Sequence, residues 1–501
     1  MTIRHAFAGG MLALWWDKPG NADEKAEYKI LMNGRRYTSG RTHILLGPFG
    51  QGEDCHVRVS LKGKTLGEEH FVAEGPGKRL DVRDFGAAGD GVTMDTAALQ
   101  AAIDRCGADS EVYLPSGVYL TGALRLHGGM ALHVAEGAVL QGSSDPGDYL
   151  PLIPSRFEGI ERECLQSLLN LGEMDHGAGP NCRDVLIYGG GVIAGGGSDL
   201  ARRSIEWERA RLKAENASDA ADEAYESADT VPGRVRGRLI NMSNCEDIRV
   251  TGLTLRDGPS WNVHMIYSRN IVTDHCVFIS RGIWNGDGWD PDSSVDCTLF
   301  ACDFSTGDDA VAIKSGKNPE GRVIARPASH IRIFDCVSRF GLGIAIGSEM
   351  SGGVDDVRIW DCDFRRSLYG IQIKATKKRG GFVRAISVTD CALSRFTVRA
   401  VGYNDDGEGA GAPPKFSGMA LKRVSLTGWG REYWEKEDHA VPAIELGGFD
   451  GPGGEAEDIV CERCRVGGGQ ISVRNCRNVS FIGLETPEDG GADRSSEGSC
   501  W

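Results

Sequence analysis

Short runs of alternating apolar and polar residues, broken by Gly, Asn or Asp, recur through most of this chain and predict strands rather than helices. From Ile271 onward the runs repeat. An aliphatic residue is followed five positions later by Cys in Ile271…Cys276, Ile331…Cys336, Val357…Cys362, Ile386…Cys391 and Ile459…Cys464, and Cys297…Cys302 keeps the spacing with Cys in the first slot. From Cys276 to Cys391 the second cysteines lie 26, 34, 26 and 29 residues apart. Each interval holds a strand such as Val357-Arg358-Ile359-Trp360-Asp361 and leaves no room for a full helix. Strands on this scale predict coils of a parallel β-helix, an all-β fold in which stacked coils share one core. The cysteines then form a ladder of thiols that pack as small apolar groups. A redox or metal array is the competing reading, but stacking in core rows needs no such chemistry. The isolated Cys461-x-x-Cys464 is read as core as well.

The first 75 residues or so alternate in shorter runs. Tyr28-Lys29-Ile30-Leu31-Met32 leads into the hairpin dipeptide Asn33-Gly34, and Cys55 to Leu61 alternates again. In size, Trp placement and strand spacing this part resembles a fibronectin type III module, so residues 1–77 are read as a β-sandwich, with Gly75-Pro76-Gly77 as the boundary and 78–501 as the β-helix. The apolar run Ala6 to Trp16 is read as a strand rather than a signal peptide, because no small-residue cleavage site follows it. Asp95-Thr96 predicts a capped helix over 95–106 that covers the open end of the first coil. Residues 198–231, rich in Ala, Glu and Arg, predict a helical insertion, either a solvated decoration or a wall over a cleft.

Composition narrows the function classes. The net charge is −15, and binding to a nucleic-acid backbone needs clustered positive charge. No stretch of 18 apolar residues exists, so no membrane-spanning helix is expected. Gly is 70 of 501 residues, which suits many tight turns. The 15 cysteines are odd in number and scattered, unlike a disulfide framework, and predict a reducing, cytoplasmic setting.

Candidate chemistry lies in two acidic clusters, Asn285-Gly286-Asp287-Gly288-Trp289-Asp290-Pro291-Asp292 and Gly307-Asp308-Asp309-Ala310-Val311-Ala312-Ile313-Lys314. Asp287 and Asp308 are 21 residues apart, close to one coil, which predicts that Asp287, Asp308 and Asp309 meet on one outer face. Carboxyls held together resist joint ionisation, so one keeps a proton and another does not. Glycoside hydrolysis needs such a pair, one group to protonate the leaving oxygen and one to activate water. The alternative is a turn or calcium site with Asp290, Asp292 and Asp296 as ligands, although the spacing is not that of an EF-hand.

These segments resemble the polygalacturonase family of glycoside hydrolases, family 28, over roughly residues 80–485. Asp84-Phe85-Gly86-Ala87-Ala88-Gly89-Asp90-Gly91 with Asp95-Thr96 is similar to the family's opening segment. Asn285-x-Asp287-Gly288 and Gly307-Asp308-Asp309 match its first two catalytic motifs. Ser260-Trp261-Asn262-Val263-His264 and Gly347 to Gly353 look like segments of its exo-acting branch, some members of which carry a fibronectin-like module. The resemblance implies a right-handed parallel β-helix and an inverting mechanism. Asp308 is then the general acid, Asp287 and Asp309 hold and deprotonate water, and Lys374 contacts the substrate carboxylate. Asn285, His264, Lys314 and Gln372 are the remaining expected substrate contacts, and no metal or cofactor is expected.

Two departures stand out. The family's third motif has His between two Gly, where this chain has Gly341-Leu342-Gly343, and its fourth has Arg two places before the Lys, where this chain has Gln372-Ile373-Lys374. Losing that Arg removes a bidentate contact to an anionic sugar. Lys377, Lys378 and Arg379 are candidates to replace it, and His264 to replace the His. The expectation is an intracellular, exo-acting hydrolase of pectin-derived oligosaccharides, with the loop from Ser315 to His330 closing one end of its groove. The alternatives are a hydrolase of rhamnogalacturonan fragments, a carbohydrate-binding β-helix without turnover, and a metal-dependent lyase. Oligomeric state is not legible.

Overall fold

The computed structural model describes residues 1–486, apart from 178, 218–220 and 222–230. From Lys78 onward, strands of successive coils stack in sequence order into three parallel sheets of 13, 12 and 11 strands. The apolar positions of the repeat explain the stacking. Ile248, Ile271, Cys297, Ile331, Val357 and Ile386 are register neighbours along the first sheet, and all are buried in one continuous core.

The cysteine ladder forms at the corner between the first two sheets. Cys276, Cys302, Cys336, Cys362 and Cys391 are buried one above another, and the backbone bonds Asp303 N to Cys276 O, Val337 N to Cys302 O and Asp363 N to Cys336 O join successive steps. The residue before each of these cysteines (His275, Ala301, Asp335, Asp361 and Asp390) is left-handed, with φ between 50° and 56°. One such residue turns the chain sharply and delivers the next side chain inward.

The helix Thr96–Arg105 buries Leu99, Ala102 and Ile103 on the first coils. Asp95 precedes it without capping it. Its carboxylate accepts from Ala88 N at 2.7 Å and Gly89 N at 3.0 Å instead, closing the glycine turn upstream.

Residues before Lys78 form two antiparallel sheets. One joins Arg4–Ala8, Met11–Trp15 and His43–Leu46, and the other joins Tyr28–Met32, Arg35–Ser39, Asp54–Leu61 and Lys64–Val72. Leu12, Leu14, Trp16, Tyr28, Ile30, Val57 and Val59 fill the space between them. This unit lies on the outer face of the 13-stranded sheet. Trp15 packs on an aromatic row in which Phe300 and Phe334 stack at 4.9 Å and Phe334 and Trp360 at 4.4 Å. Lys18 reaches between Asp361 and Asp390, 2.5 Å from each.

Two excursions cover the 11-stranded sheet on its N-terminal side. The hairpin of Ile153–Phe157 and Ile160–Cys164 lies across it, and the helix Gly197–Ala214 buttresses the hairpin through Leu200, which clusters with Tyr149, Leu165 and Val235. The described part of the expected 198–231 insertion packs on the body through this cluster, and the remainder lies outside the described residues. The segment from Ser315 to His330 carries a short helix, Glu320–Ile324, and packs beneath the same hairpin, with Lys317 N donating to Gly159 O at 2.9 Å and Glu161 N to the Glu320 carboxylate at 2.9 Å.

Candidate active site

The outward side chains of the 11-stranded sheet carry the acidic cluster. Strands place alternate residues on opposite faces, so in Trp289–Asp292 the Trp289 ring enters the core while Asp290 and Asp292 face outward. In Val311–Ile313 the same alternation buries Val311 and Ile313 and turns Lys314, the next residue, outward. Asp292 pairs in register with Lys314, Ala345 with Gln372, and Lys374 with Arg399. Asp287 and Asp309 end the turns that enter their strands and are aligned by the bond from Gly288 N to Asp309 O at 3.0 Å.

The motif glycines have a packing reason. A Cβ on Gly288 would lie 2.5 Å from Ala310 O, and one on Gly307 would lie 2.6 Å from Ile283 O. Neighbouring coils close up only because both positions lack a side chain.

Asp287 and Asp309 are 2% and 5% exposed, and Asp308 is half-buried. Lys314 Nζ lies 3.3 Å from Asp287, 3.6 Å from Asp290 and 3.8 Å from Glu349. Lys374 Nζ lies 3.2 Å from Asp309. Burial, reinforced by Asp287 and Asp309, pushes the Asp308 carboxyl up to about 8. Asp290 is fully buried, faces the carboxyl of Asp287 and has Lys314 as its nearest cation. Burial pushes Asp290 up to about 7 and raises Asp287 as well. Two carboxyls in contact resist joint ionisation. Burial would raise Glu349, but Lys314, Arg379 and Lys317 outweigh it and hold that group at about 2.

The other expected residues divide. Asn285 stands at the rim, where its side-chain oxygen accepts from Arg236 at 2.5 Å. His264 does not reach a substrate surface. It is wholly buried beneath the hairpin, edge-on to Trp261 at 4.7 Å, with Nε2 3.4 Å from Asp292. Burial pushes it down to about 3, so it is neutral and cannot stand in for the missing His. Leu342 occupies that place, its N–H donating to Asp308 O at 3.0 Å. Gln372 is also buried, and its amide oxygen, correctly oriented, accepts from Arg399 Nη2 and Nε, both at 2.8 Å. Lys377, Lys378 and Arg379 serve loops instead. Lys377 and Lys378 donate to the carbonyls of Asp450 and Asp405, and Arg379 is buried against Ser348 O and Asn318. The calcium reading fails on geometry. Asp292 is ion-paired with the buried Arg156 at 2.9 Å, while Asp296 stands on the surface 3.9 Å from His330.

Residues 178–428 match the glycosyl hydrolases family 28. The chain belongs to that family. Within family 28 it is 34% identical over 321 residues to a probable polygalacturonase of Vitis vinifera, an overlap of 61% of this chain and 58% of the relative's length. It is 25% identical over 497 residues to the exo-poly-alpha-D-galacturonosidase of Dickeya chrysanthemi, covering 87% of this chain and 81% of that one. The structure of the family 28 exopolygalacturonase of Yersinia enterocolitica superposes with a TM-score of 0.77 at 20% identity, over 98% of this chain and 99% of the other, so the fold is shared along the whole length. Residues 80–132 separately match the rhamnogalacturonase A/epimerase, pectate lyase-like family. Arg399, which holds Gln372, and Tyr433, which lies close enough to Asp308 to feel its charge, stand near the site outside the motifs read from the sequence. Arg399 comes from the coil after Gln372, and Tyr433 from a hairpin further on, so neither lies inside a motif.

Proposed function

We propose that this family 28 chain is an inverting, exo-acting glycoside hydrolase of short pectin-derived galacturonides. The observation that carries the reading is the meeting of Asp287, Asp308 and Asp309 with two lysines at a groove walled on one side. Asp308, protonated at neutral pH, gives its proton to the glycosidic oxygen as the C1–O bond breaks. Asp309, paired with Lys374, and Asp287, paired with Lys314, hold the water that attacks C1 from the other face and take up its proton. Lys374 also offers its charge to the sugar carboxylate, with the Arg399 guanidinium behind it, one coil on.

End-on attack is supported by the hairpin Ile153–Cys164, which packs over the N-terminal side of the acidic cluster and is tied to Asp292 through Arg156. Residues 1–77 are read as a fibronectin type III-like module and 78–501 as the catalytic β-helix. A reducing, cytoplasmic setting is supported by the described cysteines, 13 of 14 buried and all free. A second reading, rhamnogalacturonan fragments as substrate, is favoured by Gln372 in place of Arg and by the match over residues 80–132.

Oligogalacturonides and rhamnogalacturonan fragments of defined length, incubated with wild type and Asp308→Asn, test these readings. Galacturonate monomer from the first minutes, of inverted configuration by NMR, is expected from wild type, with a rate at least about a hundredfold lower in the variant. Retained anomers refute the water-activating roles. Release from rhamnogalacturonan fragments alone selects the second reading, and binding without release means a non-catalytic β-helix.

A further inference from the structure

Resting on that reading, the closed side of the groove fixes where the rest of a bound chain runs. The Ile153–Cys164 hairpin occupies the sheet on the N-terminal side of Asp287, with Phe157 stacked on Trp261 at 5.1 Å and the Arg238 guanidinium 4.3 Å from the Phe157 ring. Sugars beyond the terminal one extend only over the coils that follow Asp309.

A second hairpin stands there, with Trp429–Gly430 paired antiparallel to His439–Ala440. It is fastened from below. The Glu432 carboxylate accepts from Arg395 at 2.8 Å and from Arg399 at 3.1 Å. The Tyr369 hydroxyl donates to Glu432 at 3.2 Å and accepts from Tyr433 N at 3.2 Å. Two backbone bonds, Tyr369 N to Leu342 O and Leu342 N to Asp308 O, connect this anchorage to the general acid. Beside the anchored Glu432, Tyr433 is 67% and Trp434 74% exposed. They contribute nothing to the core, yet they follow directly on a side chain held by two arginines. Those arginines neutralise Glu432. Large aromatic faces on a fixed support suit the apolar C–H face of a sugar ring.

We propose that Tyr433 and Trp434 form the platform for galacturonide units on the leaving side of the cleaved bond. Tyr433 supports the unit that receives the proton of Asp308, and Trp434 the unit after it. The terminal sugar held in the closed part is then the glycosyl donor.

The test compares wild type, Tyr433→Ala/Trp434→Ala and Tyr433→Phe/Trp434→Phe on di-, tri- and tetragalacturonate. The alanine pair is expected to lower kcat/KM for tetragalacturonate roughly tenfold, mainly through KM, and to flatten the preference for longer chains, while the phenylalanine pair retains it. In the Asp308→Asn background, trigalacturonate is expected to change tryptophan fluorescence, and Trp434→Phe to remove part of that change. An unaltered chain-length preference in the alanine pair, with wild type active, overturns the platform and leaves the hydrolase reading standing. A wild type that cleaves no galacturonide brings down that reading instead.

Discussion

Asp308 and Asp290 carry the proton inventory of the site, and the pH profile reports it. The acid works only while protonated, and its carboxyl is pushed up to about 8, chiefly by burial. Turnover is therefore expected to persist through neutral pH and fall as pH rises through about 8. On the acid side the base must be ionised. Burial raises Asp287, and Asp290, facing it, raises it further, so Asp290→Asn is expected to move the acid limb of kcat/KM to lower pH while leaving the alkaline limb in place. Profiles measured for both proteins check this. A purely structural Asp290 would lower the thermal midpoint without moving either limb. At this scale the sequence was informative where chemistry and spacing coincide: Asp287, Asp308 and Asp309 were readable because one coil separates them. It was uninformative about Arg399, whose contact with Gln372 arises across a coil boundary that no motif spans.

Among the elements, the hairpin Ile153–Cys164 matters most to specificity. Its Arg156 is wholly buried and ion-paired with Asp292, which His264 approaches from the other side. Removing one partner of a buried pair leaves an uncompensated charge, at a cost of about 3–5 kcal/mol. Arg156→Met is expected to lower the urea midpoint accordingly and to let longer products appear by loosening the closed end. Adding Asp292→Asn should restore part of the stability. Unchanged midpoint and products would mean that the hairpin is held by other contacts. The sequence pointed to the segment from Ser315 to His330 as the closing device, and it packs against the hairpin through Lys317 and Glu320. That segment is long enough to attract notice, whereas the hairpin reads as two more strands in a chain full of them. Antiparallel pairing, which sets it apart from the solenoid, leaves no mark in an alternating pattern.

For the molecule as a whole, the N-terminal unit is a cover as well as an appendage. It hides Phe300, Phe334 and Trp360 and neutralises Asp361 and Asp390 through Lys18. A chain starting at residue 78 is expected to self-associate through that aromatic row and to melt earlier, as light scattering and thermal unfolding would show. A monodisperse product with an unchanged midpoint would rule out the covering role. The coil repeat was legible from the aliphatic and cysteine spacing, because every coil meets the same core. The docking was not, since outward aromatics look alike whether they meet water or another unit. The left-handed residue before each cysteine has a last consequence. One residue at Asp335, Asp361 and Asp390 alike leaves no slack along that edge. Extra length, as in the 34-residue interval ending at Cys336, goes to the opposite rim, where the helix Glu320–Ile324 lies. A whole turn of the solenoid grafted from a relative would bring its own rim and still seat on an unchanged spine, so substrate preference can be exchanged as cassettes.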